Sequence, residues 1–140
     1  MSTQAMEEVV AHYLDELRRG RDAFFGLTNF DSSIVPELIA AYGVEKEGWI
    51  RAFLVRVIWE YRLPETLDFF EEALHDNYSE AWQESLNGFC TIGTQRSLDI
   101  LNSERAHLFS EKGKAAKVRM EWIEEAIEQI MTAMASNSSN

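Results

Sequence analysis

At 140 residues, 46 % of them hydrophobic, the chain has the length of one domain and the means to bury a sizeable core. Its formal net charge of −11 argues against nucleic acid, whose phosphates need Lys and Arg, and against an anionic membrane surface; it suits solubility or a basic partner. The single cysteine, Cys90, excludes an internal disulfide. No signal-peptide pattern opens the chain and no run reaches the roughly 18 apolar residues of a membrane span, so a cytoplasmic protein is expected.

Met6, Val9, Val10, Tyr13, Leu14 and Leu17 recur at helical spacing and predict a helix from about Thr3 to Arg19, stopped by Gly20. Arg21 to Leu27, with Phe24, Phe25 and Leu27, reads as a brief second helix. Asp31, Ser32 and Ser33 offer caps and Pro36 suits the first turn of a third, which buries Ile34, Val35, Leu38, Ile39 and Tyr42 and ends at Gly43. The fourth, about Lys46 to Arg62, is the most apolar. Trp49, Ile50, Phe53, Leu54, Val57, Ile58 and Tyr61 cover well over half its circumference, leaving Arg51, Val55, Trp59 and Arg62 on the remaining side. Such a helix is buried on two sides, as the central inner helix of a stack is.

Leu63-Pro64 breaks that helix, and Pro64 to Asp76 predicts a fifth with Leu67, Phe70 and Leu74 inward. Asn77, with Glu80 three residues on, has the spacing of a capping box for a sixth, which runs through Ala81, Trp82, Ser85, Leu86, Phe89 and Cys90 to Ile92 and a stop at Gly93. Gln95 to about His107 forms a more polar seventh on Leu98, Ile100 and Leu101. After a turn at 110–113, an eighth runs to about Ala135. Its stripe of Trp122, Ile123, Ala126, Ile127, Ile130, Met131 and Met134 lies opposite Glu121, Glu124, Glu125 and Glu128, the pattern of a closing helix. Residues 136–140 read as a disordered polar tail.

An internal echo runs through these elements. Trp49 and Trp82 lie 33 residues apart, and Pro64-Glu-Thr-Leu-Asp-Phe-Phe70 recurs 31 residues on as Gln95-Arg-Ser-Leu-Asp-Ile-Leu101. A helix–turn–helix period of this size marks a stacked repeat. Ile34–Tyr42 followed by Trp49–Leu54, and Leu67–Leu74 followed by Ala81–Leu86, each give an outer helix, a loop and an inner helix; Gly93 to Leu101 reads as the outer helix of a third unit. From Ile34 to about Leu101 the chain resembles HEAT-like repeats. It departs from them in placing Trp49 and Trp82 where smaller residues are usual, in having Arg51 after the first Trp but Gln83 and Glu84 after the second, and in its eighth helix, which fits no repeat. A tetratricopeptide pattern fits worse. The resemblance implies an all-α, right-handed α–α superhelix of about seven or eight helices with atypical capping helices. Such proteins are mostly non-enzymatic binders that use the inner-helix surface, and a minority handle DNA or chromophores.

Three constellations bear on function. Between Arg62 and Arg96 stand Glu65, Asp68, Glu71, Glu72, Asp76, Glu80 and Glu84 with no Lys or Arg, and Glu65, Asp68, Glu72 and Asp76 share one helical face. Such an acidic stripe invites a basic partner, or it is an ordinary solvated face. Glu72-Ala-Leu-His75 and Glu104-Arg-Ala-His107, 32 residues apart, have the spacing used by di-metal carboxylate bundles, or are two unrelated surface positions. Arg51, Val55, Trp59 and Arg62 form an exposed stripe with the composition of a binding hot spot, unless Trp59 is covered by the first or last helix. Cys90 reads as core. No glycine loop for phosphate and no nucleophile–base arrangement is present.

The expectation is a non-catalytic protein-binding module without a cofactor or resident metal. Its candidate partner-binding residues are Glu65, Asp68, Glu72, Asp76, Glu80, Glu84, Arg51 and Trp59. Its sharpest form is a small acidic inhibitor, such as a bacterial immunity protein neutralising a cognate toxin; the alternatives are a scaffold or adaptor subunit and a di-metal carboxylate protein.

Overall fold

A computed structural model describes residues 1–138. Among them the chain is entirely helical: α1 (Thr3–Arg18), α2 (Phe24–Thr28), α3 (Val35–Val44), α4 (Gly48–Glu60), α5 (Leu67–Ala73), α6 (Ser79–Ile92), α7 (Gln95–Phe109) and α8 (Lys114–Ser138). Single 3₁₀ turns at Ser32–Ile34 and Pro64–Thr66 lead into α3 and α5. No helix is long and apolar enough to cross a membrane among the described residues.

Local chemistry sets most boundaries. The Ser2 hydroxyl accepts from the Ala5 N–H at the head of α1, and Gly20 follows its end at φ +81°. Asp31 caps the 3₁₀ turn before α3 by accepting from Ser33 N–H. α6 closes on Gly93 at φ +60°, whose N–H donates to Phe89 O at 2.8 Å, and α7 opens on reciprocal bonds between Thr94 and Ser97. Past α4, Arg62 takes the left-handed conformation at φ +55°, just before the extended Leu63 that Pro64 requires.

Several boundaries differ from the sequence reading: α2 starts at Phe24 instead of Arg21, and α5 stops at Ala73, short of Asp76. Gly43 lies inside α3, which continues to Val44. Asn77 does not cap α6: Tyr78 holds the N-cap position with no side-chain bond, and the Asn77 amide oxygen instead accepts from Arg51. α8 continues through Ser138, into the segment read as tail; Ser139 and Asn140 lie outside the described residues.

Helices adjacent in sequence pack in pairs, α3 on α4, α5 on α6 and α7 on α8, while α4 packs on α6 and α6 on α8 to form a second layer. α1 lies on α3, and α2 on α4. α8 packs on both α7 and α6, where Ile123, Ala126, Ile127 and Ile130 bury one stripe. α4 is covered on several sides, and Val55, expected at the surface, is fully buried with Ile50, Leu54, Val57 and Ile58.

A run of rings, edge-on from Tyr42 to Phe69 to Phe70 and tilted from Phe70 to Phe89, joins α3, α5 and α6 at centroid separations of 5.1, 5.6 and 6.1 Å. Burying Phe70 and Phe89 completely contributes roughly 1.5–3 kcal/mol each. Gly88 permits this approach, because a Cβ there would meet the Phe70 ring at 2.7 Å.

Candidate functional site

The acid block does not form one exposed stripe. α5 ends at Ala73, so Asp76 leaves the helical face it would share with Glu65, Asp68 and Glu72 and turns inward, 8 % exposed. There it accepts hydrogen bonds from Tyr42 Oη (2.7 Å), Arg51 Nε (2.9 Å), Arg51 Nη2 (3.1 Å) and Tyr78 N–H (2.8 Å). Arg51 also donates to the Glu45 and Lys46 carbonyls at 3.2 and 2.9 Å. Burial alone raises the Asp76 pKa, but Arg51, Tyr42 and the Tyr78 amide outweigh it and hold the carboxyl below the usual range. Burial first, then Asp76 itself, pushes the Tyr42 hydroxyl well above its ordinary value. Arg51 and Asp76 thus tie α3 and α4 to the α5–α6 turn. Arg119 of α8 secures the same turn by donating to the Leu74 and Asp76 carbonyls at 3.4 and 3.3 Å.

Cations from outside the interval reach two members of the block, since Arg96 pairs with Asp68 as Arg51 does with Asp76. Glu84 accepts from the Trp59 indole N–H at 2.7 Å, so Trp59 is half-buried against α6 rather than under α1 or α8. Glu65, Glu72 and Glu80 remain exposed. The two Glu-x-x-His motifs do meet, since His75 Nε2 lies 2.8 Å from Glu104 Oε2. Among the described residues, however, no group of three or more His, Cys, Asp or Glu side chains is placed to hold a metal ion. Cys90 is half-buried, its thiol pKa raised by burial and then by Glu125.

A different surface gathers aromatic and acidic groups. Each helix of the α4–α6–α8 layer offers one stripe at helical spacing: Trp49, Phe53 and Arg56 from α4, Glu80, Gln83, Glu84 and Asn87 from α6, and Trp122, Glu125 and Gln129 from α8. Between α4 and α6 they line a hollow of about 360 Å³, and Gln83 connects it to a smaller notch of about 70 Å³ between α6 and α8. Trp49 and Trp122 stand 42 % and 43 % exposed at its two sides. Trp122 is held edge-on to the buried Trp82 at 6.0 Å, whose ring also carries the Arg119 guanidinium at 5.1 Å. Arg56 lies over Phe24 at 4.4 Å. Beyond Trp122, Glu121, Glu124, Glu125 and Glu128 line a groove of about 700 Å³ beside α7. The face therefore exposes two indoles among carboxylates that outnumber the guanidinium groups of Arg56 and Arg105.

Of the sequence candidates, Glu80 and Glu84 lie in this face, and Trp59 supports it by orienting Glu84. Arg51 and Asp76 belong to the buried tie, while Glu65, Asp68 and Glu72 sit on the α5 side. Sequence pattern does not single out Trp49 and Trp122 as site residues, because both fall in apolar stripes and read as packing residues. A Trp where HEAT-like repeats use smaller side chains occurs at Trp49 but equally at the buried Trp82, so it does not mark the site. No family model, no curated protein and no solved structure matches the chain.

Proposed function

We propose that this chain is a non-catalytic protein-binding module that holds a basic protein surface against the α4–α6–α8 face, acting in the cytoplasm as a small acidic inhibitor in the manner of a bacterial immunity protein. The observation that carries this reading is the pair of half-exposed indoles, Trp49 and Trp122, set among Glu80, Glu84 and Glu125. Aromatic side chains that a partner covers supply much of the contact energy in protein interfaces. Lys and Arg side chains of a partner can lie across the indole faces while their charged ends reach the carboxylates. The net charge of −11 steers such a partner in from a distance. Against a nuclease, these carboxylates would take the place of substrate phosphates. The resemblance to HEAT-like repeats favours the same layer, since inner helices are the binding surface there.

The test is capture from cells at low salt by the tagged chain, compared with Trp49→Ala/Trp122→Ala and with Glu80→Lys/Glu125→Lys. One basic protein bound in equal amount by the wild type and lost by both variants, with helicity unchanged, is the expected result. A partner lost only by the tryptophan variant, and held equally at high salt, points to the scaffold reading. A partner retained by both variants rules this face out.

A further inference from the structure

At the amino-terminal end of the packing order, α1 and α3 leave a groove of about 690 Å³. Its floor is apolar, made by Val10, Leu14, Ala40, Ala41 and Val44, the last of them 81 % exposed. The Glu7, Glu37 and Glu47 carboxylates stand around it with no cation bridging them among the described residues. Arg18, on the same rim, is already engaged by Glu45; Lys46 is the other cation there.

At the other end of the packing order, the turn between α7 and α8 has the complementary character. Phe109 is 81 % exposed, and Val118 is exposed one turn into α8. Lys112, Lys114 and Lys117 surround them, exposed and with no carboxylate partner among the described residues; Glu111 sits beside His107 at 3.5 Å. In a chain of net charge −11, this tip is locally positive and carries a bare ring.

We propose that the chain associates with itself head to tail, with the α7–α8 tip of one copy seated in the α1–α3 groove of another. Phe109 then rests on the Val10, Leu14 and Val44 floor, and the tip lysines face Glu7, Glu37 and Glu47. Apolar area is buried at the centre of the contact and opposite charges meet at its rim, the usual division in an interface. The two surfaces differ, so the contact is heterologous and extends to a ring or an open chain of copies. The proposal does not depend on the α4–α6–α8 face, whose residues it leaves free.

Sedimentation of the intact chain from about 10 µM to about 1 mM tests it, since a small charged contact dissociates in that range. The mass average should rise with concentration at low salt and fall back at about 0.5 M salt. Lys112→Glu/Lys114→Glu/Lys117→Glu and Glu7→Lys/Glu37→Lys/Glu47→Lys should each weaken self-association by about tenfold or more, and an equimolar mixture of the two should recover it as mixed species. Phe109→Glu and Val44→Glu are the single-residue counterparts, used if a triple variant loses helicity. A chain that stays monomeric across the range, self-association untouched by both reversals, or a mixture that recovers nothing overturns the proposal. A groove that serves a foreign helix gives the first of these results.

Discussion

Asp76 shows how far one side chain's role depends on where a helix stops. Spacing alone sets it on a face with Glu65, Asp68 and Glu72, but α5 ends at Ala73 and the chain turns, which carries the carboxylate into contact with Tyr42 and Arg51. Removing one partner of a buried pair leaves the other charge uncompensated, so Asp76→Asn or Arg51→Ala should cost roughly 3–5 kcal/mol in urea unfolding. The pH dependence has a definite sign. The folded Asp76 pKa is depressed, so its contribution is complete above the unfolded value of about 3.9 and is lost as pH falls through the lower folded value. The stability gap between wild type and Asp76→Asn should therefore hold steady from about pH 5 to pH 8 and close below about pH 4. A gap that grows as pH falls contradicts this assignment. Val55 illustrates the same limit. Its place opposite the main apolar stripe of α4 is legible from sequence, but which neighbours cover that side is decided by tertiary packing.

Among the elements, starts and stops were the most legible part of the chain because they rest on local chemistry. Gly20, Asp31, Pro36, Pro64 and Gly93 all act within a few residues of themselves. The pairing of α7 with α8 was not legible from the repeat pattern, which fades after Leu101. Whether a helix closes a stack or completes a pair depends on which faces of α6 and α7 are still uncovered. α6 is the element held most tightly, with α4, α5, α7 and α8 around it. Gly88 lies at its contact with Phe70, a fully buried ring with little room to yield. Gly88→Ala should lower stability by roughly 1–3 kcal/mol despite the higher helix propensity of Ala. An unchanged or raised unfolding midpoint would mean that α5 and α6 pack less closely than this.

At the scale of the molecule, the α4–α6–α8 layer has two of its tryptophans open to water. Trp49 and Trp122 are half-exposed, Trp59 is half-buried and Trp82 is buried. Acrylamide should therefore quench a distinct fraction of the fluorescence, and that fraction should vanish in Trp49→Phe/Trp122→Phe while the protected fraction remains. Uniform quenching of all four would place the indoles differently. Charge and composition suggest a basic partner but single out no face, because a Trp inside an apolar stripe looks the same in sequence whether a neighbouring helix covers it or not.

The central claim is that this face binds a protein through its indoles. The most direct measurement is the affinity of the captured partner for the wild-type chain and for Trp49→Ala/Trp122→Ala, by titration calorimetry at low and high salt. The predicted result is a loss of about 2 kcal/mol or more on removing the indoles, with wild-type binding also weakened by salt. Equal affinity of the two proteins for the partner would contradict it.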